Sequence, residues 1–426
     1  MISGAGLTLS NLVFKNNHLV TSTEAYGLVS SYPTSGDAKI TSLGNTSFIG
    51  NTIKAEEIHG GGLVAAVSSN NNSAYMVAGS SIAGVFGGNT VESKGIATDT
   101  DKYLSGGGLV GASVKEGSGT ATVGDIASGA VFGGVHGGNK VTVGSYLQGG
   151  GLVGARAYEG DATVATGSGI AGVFGGNTVE TKRTDNFGYL SGGGLVGASV
   201  FDGTGTATVG DIASGAVFGG ANGDNVVTVR YGLMGGGLVG AATGPQSNGT
   251  GPATVGDIAS GAVFGGIGGV NRITALQSIE GGGLVGASAN EGNANAAVAG
   301  GIAGTFSGNE VNSENGSING GGMVGASVRK GDAGSATVGA IASTAVFGGS
   351  GGGNTVSAYI GINGGGLVRS TFAPGHASAA ADGGTAGILT GHTVASSLTL
   401  RLSGCLVGSF FTASPCVPHA APTLSM

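Results

Sequence analysis

The string Gly-Gly-Gly-Leu-Val returns through most of the chain. It begins at Gly60, Gly106, Gly149, Gly192, Gly235, Gly281 and Gly364, with a methionine form at Gly320. Successive starts lie 46, 43, 43, 43, 46, 39 and 44 residues apart. Self-similarity at such a period means that one supersecondary unit is copied and stacked, each copy burying its apolar face on its neighbours, so the chain builds a solenoid or a radial array.

A second marker falls between the glycine strings, a phenylalanine at Phe86, Phe132, Phe174, Phe218, Phe264, Phe306 and Phe347, extended toward the start by Phe14 and Phe48. Asparagine follows three residues later at Asn17, Asn51, Asn89, Asn177 and Asn309, and seven later at Asn139, Asn225, Asn271 and Asn354. The constant difference of four reads as a loop inserted at one corner of an otherwise regular coil.

Within a repeat the local period is 2. In Leu195-Val196-Gly197-Ala198-Ser199-Val200, residues Val196, Ala198 and Val200 share one face, a strand pattern. The row returns at Val110, Ala112 and Val114, at Val153, Ala155 and Ala157, and at Val324, Ala326 and Val328. A second short strand, Ala-Thr-Val, recurs at 121–123, 207–209 and 253–255. Helical solenoids are disfavoured, because interior glycine costs a helix about 1 kcal/mol each.

Composition fits a narrow stack better than a compact domain. Glycine supplies 96 of 426 residues, tryptophan is absent and charged residues reach only 9%, so large core side chains are scarce. Disorder is opposed by 40% hydrophobic content and a mean hydropathy of +0.29. Collagen is excluded by the lack of a three-residue glycine period. A net charge of −7 with only 16 scattered Lys and Arg argues against nucleic acid. No apolar run is long enough for a transmembrane helix. The start, Met1 to Gly6, enters repeat-like sequence at once, so no secretion leader is expected within this chain. The two cysteines, Cys405 and Cys416, lie beyond the repeats and can close one small loop.

The expected fold is therefore all-β, a right-handed parallel β-helix of the pectin-lyase-like kind, with about 43 residues per two coils. Residues 1–370 would form the repeat β-helix and 371–426 a divergent tail or cap, where both markers fade and Pro374, Pro415, Pro418 and Pro422 appear. At two coils per repeat there would be about 17 coils and, at about 4.8 Å per strand, a rod of roughly 80 Å. Phenylalanine would plug the interior, and asparagine, tolerant of left-handed backbone, would stack into a ladder at one corner.

The paired markers resemble those of the polymorphic outer membrane protein family, the chlamydial autotransporter adhesins whose passengers alternate a Gly-Gly-Ala-Ile-type tetrapeptide with Phe-x-x-Asn. Phe14-Lys15-Asn16-Asn17, Phe48-Ile49-Gly50-Asn51, Phe86-Gly87-Gly88-Asn89, Phe174-Gly175-Gly176-Asn177 and Phe306-Ser307-Gly308-Asn309 fit the second motif. Gly-Gly-Gly-Leu approximates the first, with Gly in place of Ala. The resemblance spans Phe14 to about Val368 and implies display at the cell surface, in the outer membrane or outside the cell. It further implies a host or neighbouring cell-surface protein or glycan as partner, and it carries over no catalytic residue. A translocator barrel of alternating strands is not found in this sequence.

Enzymes also occur on β-helices, so a carbohydrate-active protein, a polysaccharide lyase or glycoside hydrolase, is the alternative. It would need several carboxylates within one to three adjacent coils. Asp125, Asp211 and Asp257 recur at one Val-Gly-Asp-Ile position and read as turn-closing residues about 10 Å apart along an edge. His18, His59, His136, His376, His392 and His419 show no pair at metal spacing and read as isolated surface imidazoles. Gly167-Ser168-Gly169-Ile170-Ala171-Gly172 matches a dinucleotide fingerprint by glycine abundance alone, with no acidic residue closing a βαβ unit. Ice binding would use a threonine grid; the pairs Thr120/Thr122 and Thr206/Thr208 are interrupted by single Thr163, Thr254 and Thr337. No catalytic, cofactor-binding or metal residue is expected, no cofactor, and no nucleic-acid partner. Contacts are expected on the inserted corners and on variable stretches such as 115–119 and 243–251.

Overall fold

A computed structural model describes residues 1–4, 6–94, 103–183, 188–244, 249–330, 334–349, 351–363, 366–372, 376–379, 387–397 and 407–410. The chain is a parallel β-helix. Five sheets of 11, 9, 10, 10 and 10 strands run its length, and from Ile2–Ser3 to Thr355–Ala358 each strand pairs with the strand five positions on. One repeat therefore visits all five sheets once, as in Leu104–Gly107, Val110–Val114, Ala121–Ile126, Val131–Gly133 and Lys140–Val143. We call these the glycine, alanine, threonine, phenylalanine and closing faces.

This corrects the expected coil. Phe86 pairs directly with Phe132 and Phe132 with Phe174, so 43 residues close one coil and not two. Five short strands and the glycine-rich corners between them make one circuit of the repeat, where two circuits of three short strands each were expected. With ten or eleven strands per sheet, the rod is about 45 Å long at about 4.8 Å per strand. Pairing also continues past residue 370: Phe347 meets Leu389, Thr355–Ala358 meets Thr393–Ser396, and Val368 meets Val407. Cys405 and Cys416 lie outside the described residues. Among the described residues no helix is long and apolar enough to cross a membrane.

The main core is assembled from identical columns. Phe14 through Phe347 stack one ring per coil, with centroids 4.6–5.5 Å apart and planes within 9°. Rings at this spacing inherit the strand repeat, and each aromatic contact adds about 0.5–1.5 kcal/mol beyond burial. Beside them runs the asparagine ladder. Asn177 Nδ2 donates to Asn225 Oδ1 at 3.0 Å and to the Phe132 carbonyl at 2.9 Å, and the same pair of bonds recurs along the rod. The left-handed backbone is taken by the residue before the ladder asparagine, as at Asn16, Gly50, Gly88, Gly176 and Gly308. The four-residue insertions bulge outward, two as 3-10 turns at Gly134–His136 and Gly220–Asn222, while the ladder runs on unbroken through Asn139 and Asn225.

Candidate functional site

Strands of the threonine, phenylalanine and closing faces alternate buried and partly exposed positions, as one-sided strands do. Strands of the glycine and alanine faces are buried at almost every position. The reason lies in Gly-Gly-Gly-Leu-Val, whose three glycines do three jobs. The first takes a left-handed φ, +108° at Gly192. A Cβ on the second would stand 1.8 Å from the Val196 carbonyl oxygen at Gly193, and one on the third 1.9 Å from the Gly237 carbonyl oxygen at Gly194. The following Leu195 is fully buried in the main core. The chain thus bends inward here, and the outer sides of the two faces close on each other.

The result is a second, separate interior along one side of the rod. Residues eight apart meet across it: Ser105 Oγ to Ser113 Oγ at 3.0 Å, Ser191 Oγ to Ser199 Oγ at 2.8 Å, and Arg156 Nε to Gln148 Oε1 at 3.1 Å. One wall is the column His59, Ser105, Gln148, Ser191, Met234, Glu280 and Asn319. The other is Ser113, Arg156, Ser199, Ala242, Ser288 and Ser327. Tyr146, Tyr189, Met234 and Ala242 make a small apolar cluster in it, edged by Tyr103 and Tyr231. In a chain this poor in charge and aromatics, the seam gathers an unusual share of both.

Arg156 is buried there, donating to the Val114 carbonyl at 2.7 Å and lying 5.4 Å and 5.5 Å from the Tyr158 and Phe201 ring centres. Burial pulls its guanidinium below the ordinary range, and burial pushes the Tyr189 hydroxyl up. Farther along, burial raises the Glu280 carboxyl, opposed by Arg329, whose Nε lies 3.0 Å away.

At the first coils the seam holds its densest group. Glu24 pairs with Glu57 on neighbouring strands, which places His59 beside both. His59 is fully buried, stacked on Tyr26 at 5.5 Å and edge-on to Tyr103 at 5.3 Å. Its Nδ1 lies 3.2 Å from Ser105 Oγ; its Nε2 lies 3.3 Å from Glu57 Oε2 and 3.9 Å from Glu24 Oε2. Lys115 Nζ reaches both Glu24 oxygens at 3.1 and 3.2 Å, and the Tyr26 hydroxyl donates to Glu24 as well. Burial pushes Glu24 up, but the Tyr26 hydroxyl and Lys115 outweigh it and leave the carboxyl below its ordinary value. Burial pulls His59 down, against the nearby carboxylates.

Sequence reasoning missed this group. His59 was expected as an isolated surface imidazole and is instead buried between two tyrosines and beside two carboxylates. The one local signal was Glu57-x-His59, two side chains on one side of a strand; Glu24 arrives from the preceding coil. Lys115, expected in a contact loop, turns into the seam.

The other candidates lie elsewhere. Asp125 accepts from the Gly167, Ser168 and Gly169 amides of the next coil at 2.9, 2.6 and 3.3 Å, and Asp257 from Gly300 and Gly301 at 2.6 and 3.0 Å. They tie one coil to the next, and the apparent dinucleotide loop is the corner that Asp125 holds. Ile212 bridges Ile258, so Asp211 and Asp257 sit on adjacent coils, about 4.8 Å apart along the rod and not the expected 10 Å. Thr122, Thr163, Thr208, Thr254 and Thr337 do form one outward column, with Asn295 among them. The flanking positions, Thr120, Asp161, Thr206, Pro252 and Asn293, break any grid. Of the stretch 243–251, residues 245–248 lie outside those described, as does His419.

No family model matches the chain, and no curated protein or solved structure matches it either.

Proposed function

We propose that this chain is the rod of a cell-surface or secreted interaction protein, of the adhesin kind that its paired tetrapeptides resemble, binding a surface glycan or protein along its outer faces. The observation that supports this is the regularity of two outer faces whose outward columns carry no charge, in contrast to the closing face with its Lys54–Glu92, Arg230–Glu180 and Arg272–Glu310 ion pairs. The threonine column above runs beside a mostly apolar one, Val131, Val173, Val217, Val263, Thr305 and Val346, both repeating at the strand spacing. Such parallel rows suit an extended partner with its own repeat, such as a glycan chain, each coil adding a weak contact. The test is binding of the purified chain to glycan arrays and to intact cells, with Thr163→Lys and Thr208→Lys placed together on the column. The reading predicts saturable binding that the double variant loses. Unchanged binding by the double variant, or none by the parent chain, rejects it.

A second reading, a carbohydrate-active enzyme, draws its support from Glu24 and Glu57, carboxylates on neighbouring coils within reach of one imidazole. Against it, Lys115 and Tyr26 already engage Glu24. Polysaccharide turnover abolished by Glu57→Gln, with binding intact, would reverse the order of the two readings.

A further inference from the structure

We propose that Glu24, Glu57 and His59 form a binding site for one divalent transition-metal ion of the zinc class, set into the seam at its first coils and independent of what the outer faces bind.

One donor atom from each residue lies within 4.8 Å of the other two. Carboxylates cluster without metals often enough that this alone decides nothing; the second observation is on His59. Its ring is fully buried, yet Nε2 makes no well-aligned hydrogen bond and faces only the two carboxylates, Glu57 at 3.3 Å and Glu24 at 3.9 Å. A buried polar atom left without a well-aligned partner is uncommon in native structures and calls for an explanation. An ion between Nε2 and the carboxylates supplies one.

The spacing also fits. Four-coordinate zinc with bonds of about 2.0–2.2 Å holds its ligand atoms about 3.3–3.6 Å apart. Nε2 already stands 3.3 Å from Glu57 and 3.9 Å from Glu24, and both glutamates are part-exposed. Around the donors, partners are in place of the kind that orient metal ligands. Ser105 Oγ meets Nδ1 and is itself held by Ser113, which lets Nδ1 carry the proton and turns the Nε2 lone pair toward the carboxylates. Tyr26 holds Glu24 by its hydroxyl and stacks on His59. One imidazole with two carboxylates and no thiolate suits zinc, manganese, iron(II) or cobalt and disfavours copper(I). Two carboxylates against the single ammonium of Lys115 leave the pocket negative, and Lys115, bound to both Glu24 oxygens, is the competitor that a metal must displace.

The experiment is titration of the chelator-stripped full chain with zinc by calorimetry, and with cobalt(II) by visible absorbance. One equivalent should bind saturably. His59→Gln and Glu57→Gln should each weaken binding by at least about 10- to 100-fold, since ligands matter no less than their supporting partners. Lys115→Met should tighten it. His136→Gln, on an exposed turn elsewhere, should leave it unchanged. Circular dichroism confirms that each variant folds; Glu57→Gln, at a part-exposed position, carries the test should His59→Gln fail to fold. Absence of a one-equivalent transition at micromolar metal overturns the proposal. So does binding that both ligand variants leave intact, which would assign Glu57 and His59 to a purely structural contact.

Discussion

The asparagine ladder makes a sharp claim about energy, and Asn177→Ala tests it. The Asn177 Oδ1 accepts from the Asn139 side-chain amide at 2.9 Å and from the Asn139 backbone N–H at 3.2 Å, while its Nδ2 donates to the Phe132 carbonyl and to Asn225. All these residues are buried. Truncation leaves two donors on Asn139 without their acceptor, at about 1–3 kcal/mol each, and opens a small cavity; the sum is about 2–6 kcal/mol. Asn17, at the exposed first rung, only donates along the ladder to Asn51, so Asn17→Ala should cost less than about 1 kcal/mol. Urea unfolding followed by far-UV circular dichroism gives the comparison. Stacked coils can depart from two-state behaviour, so midpoints are compared at a common slope. Hydrogen exchange should show the Asn139 amide losing protection in Asn177→Ala. Two variants that unfold within error of each other would refute the reasoning, since the ladder would then be a consequence of stacking and not a contributor to it.

Gly193→Ala drives a methyl to 1.8 Å from a backbone oxygen and should abolish folding, whereas Gly215→Ala, whose nearest neighbour would be 3.5 Å away, should be tolerated; soluble yield and circular dichroism decide. Phe174→Ala should cost about 3–5 kcal/mol, and Phe174→Leu clearly less, because Leu389 already occupies that column beside Phe347. Burial holds His59 below its ordinary 6.5, so the unfolded chain takes up a proton that the folded chain resists. Its contribution to stability is complete above pH 6.5 and is lost as pH falls toward the folded value, with Glu24, Glu57 and Lys115 the charges facing it. His59→Gln should flatten that part of the stability profile in metal-free buffer; an unchanged slope contradicts the assignment.

What the sequence made legible was whatever repeats. The Phe and Asn columns and the Val-Ala strand recur once per repeat, and each stacks on its counterpart, directly in the next coil. The number of coils per repeat was not legible, because strand length sets it. Nothing in Gly-Gly-Gly-Leu-Val announces that it closes one strand and opens the next, two residues apart, so the circuit of five short strands was taken for two circuits of three. The seam was hidden for the same reason. Its inward bend comes from backbone contacts that only glycine permits, and composition reports glycine as flexibility. The His59 group escaped because it does not repeat: its members sit 33 and 2 residues apart in the chain, and only strand register brings Glu24 beside Glu57.

Spin labels at positions 122 and 337 test the coil most directly. Both residues lie in the outward threonine column, separated by five strand spacings through Thr163, Thr208, Thr254 and Asn295. With Cys405 and Cys416 replaced by serine, pulsed dipolar spectroscopy should return a distance near 24 Å, from five steps of about 4.8 Å. A distance near twice that, about 48 Å, would mean two coils per repeat and contradict the architecture on which the seam, the ladder and the proposed metal site all depend.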